Sequence, residues 1–142
     1  MLLLQVQEGP ACPELRVSVM AYRLILDLEG LPKMANHGSG ASTHWRHAHK
    51  EAQYWQTYVA AKVGMFKPAQ PLKRAKLTLI RFSSVEPDFD GLTRGFKSVV
   101  DGLIKAGVLE NDRISNTGVW NCFWEKTGPK RGRIKVIVEG ET

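Results

Sequence analysis

Cysteine is scarce in this chain: Cys12 and Cys122 are the only two, far apart and without a C-x-x-C pair. That excludes a disulfide framework and a four-thiolate zinc site, and it points to a reducing cytosol. Long apolar runs are also missing. Residues 1–4 read MLLL, far short of the roughly 20 residues a spanning helix needs, and no basic n-region with a long h-region follows as a secretory signal would require. The expected location is therefore the cytoplasm, with no membrane association. Acidic residues are the minority, 14 against 20 basic, which gives a formal charge of +6 and a sequence pI near 9.5. No basic amphipathic segment with a bulky apolar face stands out, so the polyanionic partner is expected to be nucleic acid. No internal repeat or low-complexity tract occurs. What remains is a 142-residue chain, 43% hydrophobic and 24% charged, the profile of one globular domain able to bury a core.

One stretch inverts the overall sign. From residue 86 to 112 there are six carboxylates, Glu86, Asp88, Asp90, Asp101, Glu110 and Asp112, against Arg94, Lys97 and Lys105. The local balance is −3, so the rest of the chain, with 17 basic and 8 acidic groups, carries +9. An acidic focus in a basic body suits a metal-dependent enzyme acting on a polyanion: the body holds phosphates and the focus holds a cation. Pro87 keeps Glu86 extended. Asp88 and Asp90 then point to one side if the chain stays extended, where they can share an ion. Asp90 suits a helix N-cap and Gly107 a left-handed C-terminal residue, predicting a helix over 90–107. At about 100° per residue, Leu92, Phe96, Val99, Val100 and Leu103 form a core face, and Asp90, Arg94, Lys97, Asp101 and Lys105 form the opposite polar stripe. Gly95 and Gly102 lie seven apart, a spacing that close backbone packing would explain.

The remaining chain reads in order. Residues 1–19, with Gly9, Pro10 and Pro13, look like an irregular extension that the domain over 20–142 does not need, and Met20 would serve as an alternative start. Residues 17–28 form a first strand, stopped by Gly30 and Pro32. Residues 33–43 are a Gly/Ser-rich loop suited to phosphate contact. A helix fits 43–63, with Ala48, Ala52, Trp55, Val59 and Val63 buried and Arg46, Lys50 and Gln53 facing away. A second strand spans 72–82 and delivers the chain to Asp88. Residues 114–124 and 133–138 read as two more strands, joined as a hairpin through Gly128, Pro129 and Gly132. The fold class is α+β: a single domain with a mixed sheet in the order strand, helix, strand, helix, strand, strand. Its crossovers would be right-handed where strands run parallel.

Several signals invite rival readings. A D-x-D before a helix is commonly only a cap, Lys97 and Asp101 could be a plain surface pair, and Asp112 could be a turn residue. Among His37, His44, His47 and His49, only His44 and His47 share a helical face, and nothing is spaced to complete a zinc site. Lys126, Lys130, Arg131, Arg133 and Lys135 put five basic residues in ten, read as a DNA clamp that Lys73, Arg74 and Lys76 would extend. Arg46, Lys50 and Arg94 complete the expected DNA-binding set. Trp120 and Trp124 share a strand face and suit the core or a dimer interface.

The run D88-F-D90-G-L, then K97-x3-D101-G-L, then A-G-V-L-x2-D112 resembles, in order and spacing, the signature of the RusA family of Holliday junction resolvases, in its phage-type branch with a longer first helical turn. L31-P-x2-A-N36 with H44-W-R46 resembles the family's N-terminal region, so the likeness covers most of the chain from Tyr22 on. The resemblance implies a crossover-junction endodeoxyribonuclease in a bacterial cell, host- or phage-encoded. It implies that Asp88, Asp90 and Asp112 ligate Mg²⁺ (or Mn²⁺), that Lys97 is catalytic with Asp101 one turn beyond it, and that a homodimer acts on branched DNA. The chain departs from the pattern at Gly91, where Asn is usual, and at Asn111, where a second Asp is common. Those departures favour the alternative, a non-catalytic protein that binds branched nucleic acid through a degenerate site.

Overall fold

Alternation of apolar and polar residues builds the sheet. The structure, a computed structural model, describes residues 21–33 and 42–141, without the side chains of 42–45. In β1 (Ala21–Glu29) Leu24, Leu26 and Leu28 are buried and their neighbours exposed, and in β4 (Arg133–Glu141) Ile134, Val136 and Val138 are buried while Lys135, Ile137 and Glu139 between and after them are half-buried. β2 (Ala75–Ser83) turns Leu77, Leu79, Arg81 and Ser83 inward. β3 (Asn121–Lys126) is a shorter edge strand. The order across the sheet is β1-β4-β2-β3. β4 runs antiparallel to both β1 and β2, while β2 and β3 are parallel. The result is a single α+β domain with an open four-stranded mixed sheet.

Two expectations about the C-terminal third need correction. Residues 114–117 form a short helix, α4 (Ile114–Thr117), and only residues from 121 on form β3. β3 and β4 are also not a hairpin, because β2 lies between them. A Gly/Pro turn fixes where the chain bends but not which strand lies beside it: β2, with its fully buried Leu77 and Leu79, is paired on both edges, antiparallel with β4 and parallel with β3.

The helices follow their apolar faces. α1 (Ser42–Val63) buries Trp55, Val59 and Val63, but Ala48, predicted on that stripe, is exposed because the buried contact begins only with its later turns. The predicted helix over 90–107 is two, α2 (Phe89–Gly95) and α3 (Lys97–Lys105), meeting at Phe96. All five expected core residues, Leu92, Phe96, Val99, Val100 and Leu103, are buried. Gly102 explains itself by what a methyl group would strike: a Cβ there would stand 2.8 Å from Val59 Cβ and 3.1 Å from the Gln56 backbone. α3 can therefore lie directly on α1.

Gly107, at φ +86°, ends α3 as expected. Gly107 N donates to Ile104 O at 3.0 Å and Val108 N to Leu103 O at 2.9 Å, the paired bonds of a Schellman turn, with Val108 and Leu103 both buried. The chain then passes beside Leu72, which lies ahead of β2 rather than in it and bridges Leu109 in parallel. Residues 1–20 and 34–41 lie outside the described residues, and with them the extension, the start of the first predicted strand, most of the Gly/Ser-rich loop, Cys12 and His37.

Candidate functional site

The way β2 ends determines where the acidic stretch begins. Ser83 Oγ donates to Val85 O at 2.8 Å and accepts from Trp124 Nε1 at 2.9 Å. Ser83 O accepts from Thr127 N at 3.0 Å. Strand end, acidic connection and basic connection are thus tied at one residue.

Asp88, not Asp90, is the N-cap. Its backbone is extended, φ −77° and ψ 164°, and its side chain accepts from Gly91 N at 2.8 Å. That satisfies an otherwise orphaned amide and sets a negative charge at the helix start. Asp90 therefore lies inside the first turn, exposed, and pairs with Arg94 at 3.1 Å. The two aspartates do not share one side of an extended segment.

The second carboxylate pair comes from further apart in sequence. Lys97 Nζ donates to Asp101 Oδ1 at 2.7 Å and to Asp112 Oδ2 at 2.5 Å. The return of Asp112 is a product of the Schellman turn and of Asn116. Buried Asn116 accepts from Asn111 N at 2.9 Å and donates to Leu72 O at 2.8 Å, which pins the loop to the chain ahead of β2. Asn111 also shapes the loop, since its Oδ1 accepts from Arg113 N at 2.9 Å and closes an Asx turn around Asp112. Partial burial pulls the Lys97 ammonium down, but the hydrogen bonds and charges of Asp101 and Asp112 outweigh it, so its pKa lies above the ordinary lysine value. The Lys97 hydrogen bond in turn holds the Asp112 carboxyl below the ordinary aspartate value.

The five motif residues thus form two groups, Asp88 and Asp90 with Arg94, and Asp101 and Asp112 with Lys97. Asp90 and Lys97 are seven residues apart along α2 and α3, about 10 Å at helical rise. Among the described residues no three of His, Cys, Asp and Glu stand close enough together to hold a metal ion. The chemistry of the donor set, all carboxylate, suits a hard divalent cation. The arrangement does not fit one, because the point where Asp101 and Asp112 converge is filled by an ammonium.

The basic residues divide between the two ends of the sheet. Arg133 stands opposite both Glu29 and Phe82, and Lys126 opposite Ser83. Lys130 and Arg131, exposed on the connection between β3 and β4, therefore emerge at the end where Asp88 follows β2. Lys130 holds φ +66°. Arg133 stacks over the Phe82 ring at 3.8 Å and lies 3.7 Å from Asp27, so part of its charge is already engaged. Exposed Arg46 and Lys50 on α1 belong to the same end, since Lys33 N donates to Glu51 Oε2 at 3.0 Å. Lys73, Arg74 and Lys76 do not extend this cluster. They lie ahead of or at the start of β2, about 25 Å along the strand from its other end.

Sequence reasoning missed Asn111 and Asn116 as the clamps of the Asp112 loop, although an Asn two residues before Arg113 is a legible Asx-turn signal. It also missed Arg81. This strand residue is buried at 9% exposure, donates from one terminal nitrogen to Pro32 O at 2.8 Å, and leaves Nε without a partner. Desolvation pulls its pKa below the ordinary arginine value. Arg81 anchors the chain as it enters residues 34–41. Trp120 precedes β3 and donates to Thr117 Oγ1 at 3.2 Å; it and Trp124 pack partly against the core. The Cys122 thiol is half-buried, and that burial pushes its pKa up, so it is not an activated nucleophile.

No protein-family model matches the chain, and a search of curated proteins finds no match. Among the described residues no helix is long and apolar enough to cross a membrane.

Proposed function

We propose that this chain is a divalent-metal-dependent endonuclease that resolves four-way DNA junctions by paired symmetric nicks, in recombination and repair. The observation that carries the reading is the return of Asp112 onto Lys97 and Asp101, 15 and 11 residues behind it in sequence. Three of the five residues that the RusA-like signature groups by spacing are in this way in contact. The placement of Asp88, Asp90, Arg46, Lys50, Lys130, Arg131 and Arg133 at one end of the sheet supports it further, since phosphate chemistry needs acidic and basic groups on one side of the molecule.

In this reading Mg²⁺, or Mn²⁺, would be the cofactor, and Asp88, Asp90 and Asp112, which stand in two groups, would have to come together to hold it. Lys97 stabilises charge on the phosphate undergoing attack, and Asp101 orients it through their 2.7 Å bond. The basic sheet end holds the DNA backbone, and Arg94 on the polar stripe adds a further cation. A homodimer would place two such sites on a two-fold junction. The protein would act in the cytoplasm of a bacterial cell.

The second reading, a non-catalytic binder of branched nucleic acid, is favoured by one observation, the ammonium between Asp101 and Asp112. Incubating the protein with labelled four-way, flap and linear DNA, in Mg²⁺ or in chelator, separates the two. Symmetric nicks in the four-way substrate alone, dependent on Mg²⁺, are expected. Tight binding without nicking in Mg²⁺ or Mn²⁺ would establish the binder instead, and equal cleavage of all three substrates would remove the junction preference.

A further inference from the structure

We infer that the outer surface of α1 is a platform for unpaired nucleobases: the exposed ring of Tyr54 stacks on one base, and Lys50 holds an adjoining phosphate. The inference rests on the nucleic-acid part of the nuclease reading and adds to it that the substrate offers a single strand, as a branched duplex does where it opens.

The spacing along α1 builds the platform. Lys50, Tyr54, Tyr58 and Lys62 follow one another at intervals of four, so each Cβ stands about 5–6 Å from the next on the helix surface. Tyr54 is 59% exposed, and both lysines are exposed. Trp55 lies beneath them, buried. The three rings meet pairwise: Tyr54 is 5.7 Å from Trp55 at 89° and 5.8 Å from Tyr58 at 47°, and Trp55 is 5.5 Å from Tyr58. Neither neighbour lies parallel to the Tyr54 ring, so they brace it without stacking flat on it. The braces are themselves fixed. Trp55 Nε1 donates to Glu51 Oε2 at 3.1 Å, and Tyr58 Oη accepts from Glu29 N at 3.0 Å. A ring ordered in advance spares part of the entropy that binding would otherwise cost.

Charge selects the ligand. Glu51 is the one carboxylate of α1, and it is half-buried and already bonded to Trp55 and to Lys33 N. Glu29 is exposed beside Tyr58, so the Lys50 side of Tyr54 is the side that suits a phosphate. Phe66, Phe89 and Phe123 are similarly exposed, but none shares a ring contact among the described residues, and Phe89 stands between Asp88 and Asp90. A braced aromatic ring beside cations suits a single strand of any sequence, because every base has a π-face and the backbone is drawn by charge.

The test is the affinity of the full chain, in chelator so that nothing is cleaved, for a labelled oligothymidine strand and for a blunt duplex of equal length. Wild type, Tyr54→Ala, Tyr54→Phe and Lys50→Ala are compared, each first checked for native circular dichroism. Tyr54→Ala should bind oligothymidine about 5- to 100-fold more weakly and the duplex within about twofold of wild type. Tyr54→Phe keeps the ring and should match wild type on both. Lys50→Ala should lower the slope of log affinity against log salt on the single strand by about 0.7, whereas Tyr54→Ala should leave that slope unchanged. Equal losses on strand and duplex, no loss in Tyr54→Ala, or a Tyr54→Phe as weak as Tyr54→Ala would overturn the inference. So would a Tyr54→Ala protein that keeps both affinities but sediments as a monomer where wild type is a dimer, which would give the ring to an interface between two copies. Junction nicking in Mg²⁺ is scored separately: a chain that shows this pattern yet never nicks DNA keeps the platform and loses the nuclease reading, and one that nicks junctions with Tyr54 irrelevant to single strands does the reverse.

Discussion

The two carboxylate pairs are positioned by different kinds of structure. Asp88 and Asp90 are set by their own helix, one as its cap and one bonded to Arg94 a turn later. Asp101 and Asp112 meet through Lys97 only because α3 stops at a left-handed glycine and the returning chain is pinned to Leu72. The first pair depends on about seven residues of sequence and the second on the whole domain. Damage to packing should therefore reach the second pair and spare the first.

The largest effect is expected from breaking the local pair. Asp90→Asn should reduce junction cleavage by at least about 10²-fold, the scale of losing a positioned catalytic group, with binding unchanged. Single-turnover cleavage beside a binding isotherm measures both, and retained cleavage would refute the role given to Asp90. Next comes packing. Gly102→Ala should cost about 1–3 kcal/mol in denaturant unfolding, because Val59 and the Gln56 backbone leave no room for a methyl group. Gly107→Ala should cost about 1 kcal/mol for the strained φ. It should also loosen the Lys97–Asp112 contact while the Asp88 cap survives, which amide exchange at Gly91 would report.

A smaller effect separates the ends of the sheet. Lys130→Ala and Arg131→Ala should each lower the slope of log affinity against log salt by about one, with little change in the cleavage rate of bound DNA. Lys73→Ala and Arg74→Ala, at the far end of β2, should change that slope less.

The smallest effect is in pH. Asp112 titrates below its ordinary value, so its contribution to stability is present above that value and fades as pH falls through the lowered one. Lys97 titrates above its ordinary value, so its contribution is present below that value and is lost as pH rises through the raised one. Stability should thus be flat across neutral pH as far as this contact is concerned. Asp112→Asn should flatten the acid limb by a few tenths of a kcal/mol, as suits a partly exposed pair.

The same local and long-range division governs what was legible in the sequence. The core face of α2 and α3 followed from periodicity, because helical burial repeats within a few residues. The stop at Gly107 followed from the backbone freedom of glycine. The N-cap slipped by two residues, from Asp90 to Asp88, because both are good caps and only the exit of β2 decides between them. The hairpin failed for a related reason. Glycine and proline near 128–132 mark a turn but do not say which strand will lie beside β3, and that neighbour is β2. Arg81 was hidden by its type, since a basic residue in an alternating strand reads as the exposed face. The resemblance implied that Asp112 folds back to join Asp88 and Asp90; that it meets Lys97, and through it Asp101, was not legible, because no periodicity carries across the Asn116 clamp.

The central claim is that the acidic focus performs chemistry on a polyanion held by the basic end of the sheet. The measurement that tests it most directly is junction binding and nicking by Asp112→Asn beside wild type, in one Mg²⁺ reaction. The account predicts equal affinity, symmetric nicks from wild type, and none from the variant. Nicking by the variant at the wild-type rate, or a wild-type protein that binds the junction and never nicks it, would contradict the claim.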